Sequence, residues 1–223
     1  MFRVIASELK DHAPFTAIGA VTGIIIMVVI VLGNVPSSVS YNVFYTLHPL
    51  HVVLSALVTT AIYKKYGNGK IWASVLVGYF GAIGIATLSD AIIPYLGGAL
   101  LNVEIEFEVP FIEEWWLINP AALIGIAIGY WRPTTKLPHW GHVFLSTWAS
   151  LFYFTAFGTA FWLPLLPFVF LFLFLAVWIP CCLSDIVFPL LFVGKRLPLH
   201  DHITYNQQHQ ERSENGALHH HIE

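Results

Sequence analysis

The chain has 223 residues, of which 57% are hydrophobic and 10% charged, with a formal net charge of −3. A charged fraction so far below the roughly 25% of soluble domains excludes an ordinary water-soluble enzyme, and the slightly acidic balance excludes a nucleic-acid-binding surface. The class that remains is an all-α integral membrane protein, because the apolar runs have the length of helices that cross a bilayer.

Six runs reach the roughly 20 residues such a crossing needs: residues 14–33, 42–63, 71–98, 112–131, 139–161 and 163–193. The first follows a polar start and opens Pro14-Phe-Thr-Ala-Ile-Gly19-Ala-Val-Thr-Gly23. With no small-residue cleavage site behind it, it is expected to stay in the membrane rather than leave as a signal peptide. The second carries His48-Pro-Leu-His51-Val-Val-Leu-Ser55, and the third Leu88-Ser89-Asp90-Ala-Ile-Ile-Pro94. A connection with Glu104, Glu106, Glu108, Glu113 and Glu114, and no base, leads into the fourth, which contains Pro120-Ala-Ala-Leu-Ile-Gly125-Ile-Ala-Ile-Gly129. The fifth carries His139-Trp-Gly-His142-Val-Phe-Leu-Ser146, and the sixth Leu183-Ser184-Asp185-Ile-Val-Phe-Pro189. Residues 1–198 read as one transmembrane domain and 199–223 as a polar, flexible tail.

The basic residues test the count of six. Arg3 and Lys10 precede the first span, Lys64, Lys65 and Lys70 join the second and third, Arg132 and Lys136 the fourth and fifth, and Lys195, Arg196 and Arg212 follow the sixth. With six spans all ten lie on one face, which the positive-inside rule makes the cytoplasmic one. Both termini are therefore expected in the cytoplasm of a multi-pass protein of the cell or inner membrane, and the acidic connection outside.

The motifs occur in pairs. Pro14 to Gly23 and Pro120 to Gly129 both read Pro-x4-Gly-x3-Gly, 106 positions apart, and the same offset takes Glu8 onto Glu114. His51 and His142 are 91 positions apart, and Asp90 and Asp185 are 95 apart, so the offsets change only in the connections. Each half, about 8–98 and 112–193, is then one three-helix unit. Three crossings reverse direction, so the fold expected is an inverted 3+3 repeat about an axis in the membrane plane. Small residues recur at membrane helix contacts without any repeat, but three helix pairs in matching order argue against coincidence.

Residues three and four apart share a helix face, so His48, His51 and Ser55 form one stripe and His139, His142 and Ser146 its counterpart. Ionisable groups in hydrocarbon are expensive and few. A lone His there would read as a packing partner, whereas a duplicated set of two His and one Asp suits Zn²⁺, Mn²⁺ or Fe²⁺. The candidate ligands are His48, His51, Asp90 and Glu114 toward the outer half, and His139, His142, Asp185 and Glu8 toward the inner half. Ser55, Ser89, Ser146 and Ser184 are placed to orient them. Pro94 and Pro189 cannot donate to the carbonyls of Asp90 and Asp185, so a kink is expected beside each carboxylate. Cys181 stands one turn before Asp185, but its counterpart is Ala86, so it reads as packing. Trp115, Trp116, Trp131 and Trp140 sit at predicted helix ends, as an interfacial aromatic belt does.

The run Thr46-Leu-His48-Pro-Leu-His51, followed by Gly78-Tyr79 and then by Asp90 and Pro94, resembles bacterial inner-membrane metal-dependent hydrolases over about a quarter of the chain. The resemblance implies a metal-activated water attacking a lipid-like ester or phosphoester, with His51, His48 and Asp90 as ligands.

Three functions are thus expected. The first is a proton-coupled carrier of divalent metal ions that rocks around sites at the repeat interface. The second is the membrane-embedded hydrolase, and the third a structural or partner-binding membrane protein. An acid in each half favours the carrier, since catalysis needs only one complete site with an open metal position. The expected partners are membrane lipids, metal ions or protons, and a second copy of the chain in a homo-oligomer, with no nucleic acid.

Overall fold

The computed structural model describes residues 2–67, 70–132, 136–182 and 188–193; among these the side chains of 2–8, 11–12, 136–140, 182 and 190 are not described. The expectations for the side chains of Glu8, His139 and Trp140, for Ser184 and Asp185, and for the tail therefore lie outside the described residues.

The chain is mostly helical. We label the main helices α1 (Phe2–Leu32), α2 (Ser37–Tyr66), α3 (Ile71–Thr87, continued by Leu88–Ile92 and Ile93–Leu100), α4 (Trp115–Trp131), α5 (Lys136–Phe157) and α6 (Leu166–Cys182). Four stretches are long and apolar enough to cross a membrane: Ala13–Leu32, Ser37–Tyr66, Ile71–Leu100 and Leu163–Cys181. The α4 helix is apolar but shorter, at 17 residues. At about 1.5 Å per residue, α2 is roughly 45 Å long and exceeds a hydrocarbon core of about 30 Å, so it tilts or projects.

The boundaries move for local reasons. The fifth helix stops at Phe157, not 161, because Gly158 and Thr159 pair antiparallel with Ile105 and Glu104. That two-residue ladder is the one strand pairing among the described residues. It ties the acidic connection to the α5–α6 turn. There, Pro164 lies in a single 3-10 turn (Leu163–Leu165) that opens α6, where its fixed φ suits the first turn and its missing N–H costs nothing.

The helix around Asp90 does not break. Residues Leu88–Ile92 form a π turn in which the Ile93 N–H reaches back to the Leu88 carbonyl. Pro94 lacks the N–H that would bond the Asp90 carbonyl, and the wider turn absorbs that loss while the helix runs on to Leu100. The expected kink thus takes the form of a π turn that carries Ser89 and Asp90.

The central helix is α2, packed against α5, α4 and α3, while α1 packs against α6 and α5. The α2 and α5 helices run antiparallel: Tyr41 and Phe44 meet Phe157 at ring-centroid distances of 5.7 and 5.5 Å, and further along Gly141 faces Leu54. Close approach of α4 depends on glycine. A Cβ on Gly125 would overlap the Val53 carbonyl oxygen, and one on Gly129 the Leu57 carbonyl oxygen. In α1, Gly19 lies against the Thr147 side chain, where an added Cβ would stand 3.0 Å from Oγ1.

The core is made where these faces meet. Ala20, Met27, Leu151, Phe154, Val169 and Leu173 join α1, α5 and α6, and Val52, Ile83, Ala86, Ile118 and Ala122 join α2, α3 and α4. Ile18, Ile25, Val29, Leu76 and Phe80 are exposed on the outer helix faces, as lipid-facing residues are. Trp72, Trp115, Trp116 and Trp131 are exposed at helix ends, in keeping with the expected aromatic belt.

Candidate metal centre

The candidate site is built around one carboxylate. The π turn presents Asp90 to α2, where His48 and His51 lie three residues apart on one face. Both imidazoles reach the same oxygen: His48 Nδ1 is 2.9 Å and His51 Nδ1 is 2.7 Å from Asp90 Oδ2. The other oxygen accepts two hydroxyls, from Ser89 at 2.6 Å and from Ser146 of α5 at 2.8 Å. All of these side chains are buried, and Asp90 and His48 are 0% exposed.

The bonding fixes the histidine tautomers. An ionised carboxylate only accepts hydrogen bonds, so each Nδ1 donates and, in a neutral ring, each Nε2 keeps its lone pair. For His48 that lone pair is buried, and Nε2 has no hydrogen-bond partner among the described residues. The Phe44 ring lies parallel to it, with centroids 5.4 Å apart and planes 12° from parallel, and holds the imidazole flat. A nitrogen with no bond to keep leaves the ring free to move its proton from Nδ1 to Nε2 and so to offer Nδ1, beside the carboxylate, to a metal ion.

The serines extend the network across the helices. Ser146 Oγ, its proton on Asp90, also lies 3.2 Å from Ser89 Oγ, and Ser150 donates to the Ser89 carbonyl at 2.9 Å. That carbonyl belongs to the π turn, so a hydroxyl from α5 serves the backbone where α3 departs from regular helix.

His51 is also where α2 meets α5. Its ring lies parallel to that of His142, with centroids 5.7 Å apart and planes 9° from parallel. Cys181 of α6 lies beside them. Two groups of buried side chains therefore place candidate ligand atoms within 4.8 Å of one another: His48, His51 and Asp90, and His51, His142 and Cys181.

The sequence pattern had divided these residues between opposite halves of the membrane. Here His142 and Ser146 instead join His51 and Asp90 in one cluster, because α2 and α5 cross at that level. Ser55 is buried one turn beyond His51. Glu114 is elsewhere: its carboxylate accepts from Tyr41 Oη at 3.3 Å, about two helical turns from His48, and it belongs to neither group. Cys181, read from the sequence as packing, does pack against Val143 and Val177, and it is a candidate ligand as well. Symmetry with Ala86 hid it, since a repeat fixes only what the two halves share.

The two ends of the molecule differ in charge. At one, Lys64 Nζ donates to the Tyr130 carbonyl and sits 4.2 Å over the Tyr130 ring, and Trp178 Nε1 donates to the Leu9 carbonyl at 2.8 Å. At the other, the Glu108 N–H donates to Tyr153 Oη and Tyr153 Oη donates to the Glu106 carbonyl, each at 2.9 Å. Partial burial, together with Glu113, Glu106 and Glu114 nearby, raises the Glu108 carboxyl above the usual carboxylate range.

No family model, curated protein or solved structure matches the chain. The functional reading therefore rests on the site.

Proposed function

We propose that the chain is a six-span membrane protein, an inverted 3+3 repeat with both termini in the cytoplasm, that carries divalent metal ions across the membrane in exchange for protons. The observation that carries this reading is the contact of His51 with His142. These residues correspond under the 91-residue offset, and equivalent residues touch each other where a two-fold axis passes between the halves. A buried His/Asp cluster on that axis is where carriers built from inverted repeats hold their substrate.

The packing supports the repeat as well. Gly19 of α1 lies on Thr147 of α5, and Gly125 of α4 lies on Ala56 of α2. Gly125 corresponds to Gly19, and Ala56 is 91 positions before Thr147, so one contact is the image of the other. The charge at the two ends supports the orientation, with described bases at one and the acidic connection at the other.

The chemistry follows from the tautomers. A divalent cation taken up on the Nδ1 side of the two imidazoles and by Asp90 takes the place of the two N–H donors while each ring keeps its proton at Nε2. The proton that the empty cluster takes up to balance the ionised carboxylate is released, so a proton gradient drives return. Zn²⁺, Mn²⁺ and Fe²⁺ all suit two nitrogens and a carboxylate. A packing network would need no buried lone pair such as that of His48 Nε2. The hydrolase implied by the resemblance needs metal-bound water within reach of a lipid, and the closed position of His48, His51 and Asp90 favours the carrier over it.

Metal analysis of the purified full-length chain after equilibration with Zn²⁺ or Mn²⁺ tests the binding step. Bound ion is expected in wild type and its loss in His51→Ala. A wild-type chain that binds neither ion would overturn the proposal.

A further inference from the structure

We infer that His51, His142 and Cys181 form a second cation station, one that takes thiophilic divalent ions and exchanges its ion with the station at His48, His51 and Asp90. This deepens the carrier reading and rests on it. The three side chains come from α2, α5 and α6, are each about 1% exposed, and hold their candidate ligand atoms within 4.8 Å of one another. In a tetrahedral Zn²⁺ site the nitrogen and sulfur ligands stand about 3.4 Å apart, so closing the group on an ion takes movements of about an ångström.

The two stations differ in character. The first ends in a carboxylate, a hard ligand that suits Mn²⁺ and Fe²⁺ as well as Zn²⁺; the second ends in a sulfur, which prefers Zn²⁺ or Cd²⁺. The thiol proton leaves when the metal–sulfur bond forms, and returns when the ion moves on.

His51 belongs to both groups, and this dictates how they are used. Two divalent ions sharing one imidazole would repel strongly at that separation in a dry interior, and the ring would have to lose its last N–H proton. One ion therefore occupies one station at a time. The step between them turns on His51, at the contact between α2 and α5. The order of stations runs from the residues of α2 and α3 to those of α5 and α6.

The test uses the full chain in detergent or nanodiscs on a Cys182→Ser background, so that Cys181 is the only thiol. Cd²⁺ is added, total binding is measured by equilibrium dialysis, and sulfur coordination is read from thiolate-to-metal charge-transfer absorption. The band is expected in Cys182→Ser. It should vanish when Cys181→Ser or His142→Gln is added and persist with Asp90→Asn. Without Cys181, Cd²⁺ affinity should fall by more than the roughly 10–100-fold that loss of an outer partner costs, while Mn²⁺ binding stays. Bound Cd²⁺ without the band in Cys182→Ser would overturn the second station and leave the carrier reading standing. Absence of any Cd²⁺ binding would overturn the second station, and absence of Zn²⁺ and Mn²⁺ binding as well would overturn both.

Discussion

Asp90→Asn is expected to lower the affinity for Mn²⁺, which the sulfur-containing station does not favour, by more than about 100-fold, beyond the range seen for loss of a partner outside the ligand set, while the protein still folds. Four donors converge on this carboxylate, two imidazole N–H groups on Oδ2 and two hydroxyls on Oδ1. Asparagine keeps the shape but turns an NH₂ toward one of the two pairs. Hydroxyls can rotate and imidazoles can change tautomer, so the network adjusts, at a cost of about 1–3 kcal/mol for whichever donor is left without an acceptor. The metal has no such remedy. It loses its one anionic ligand in the first station, and the NH₂ offers no lone pair in return. Equilibrium dialysis gives the affinity, and thermal unfolding in detergent gives the stability. Wild-type affinity in Asp90→Asn would show that the cation binds elsewhere.

Gly125→Ala and Gly129→Ala are expected to destabilise the protein by about 1–3 kcal/mol each, the usual range for overpacking, and at its upper end because the obstacle is backbone. The added methyl at 125 meets the Val53 carbonyl oxygen and lies 2.8 Å from the Ala56 Cβ; at 129 it meets the Leu57 carbonyl. Neither neighbour is a flexible side-chain end. Relief requires α4 to move off α2, away from the residues that hold His51. Gly23, in the matching position of α1, has only ordinary contacts at 3.6–3.9 Å, so Gly23→Ala should be close to neutral. Thermal midpoints of the three variants check the order. Equal gains of about 1 kcal/mol for all three would mean that intrinsic helix preference, which favours alanine over glycine, and not the α2–α4 contact, sets the effect.

The same glycines illustrate how far the sequence could be read. The Pro-x4-Gly-x3-Gly spacing pointed to two related helices, yet it could not tell that one copy approaches a backbone and the other a threonine side chain. Apolar runs located most helix ends to within about five residues, but α1 starts at Phe2, twelve residues before the expected 14, because its first turns are polar and carry no apolar run, and α6 is described only to Cys182 where the run was read to 193. The stop at Phe157 comes from the pairing of Gly158 and Thr159 with Ile105 and Glu104, more than fifty residues earlier, and two-residue strands leave no periodicity to detect. Pro94 marked the irregularity at Asp90 correctly, but whether the helix kinks or forms a π turn is decided by tertiary contacts such as the Ser150 hydroxyl.

For the site, His48, His51 and Asp90 were legible because titratable groups in apolar runs are so costly that they stand out. Their meeting with His142 and Ser146 was not, because spacing along a helix says nothing of the depth at which two helices cross. Cys181 was missed through an argument from symmetry that applies only to shared features.

Transport itself remains the most direct test of the central claim that one buried cluster on the repeat axis serves both sides of the membrane. The measurement is Zn²⁺ uptake into proteoliposomes with the internal pH followed at the same time, for wild type, His51→Ala and His142→Ala. The account predicts Zn²⁺ entry coupled to proton exit in wild type, and loss of both fluxes in either variant, although the two histidines belong to different halves. Zn²⁺ entry undiminished in His51→Ala, or lipid turnover with no ion flux in wild type, would contradict it.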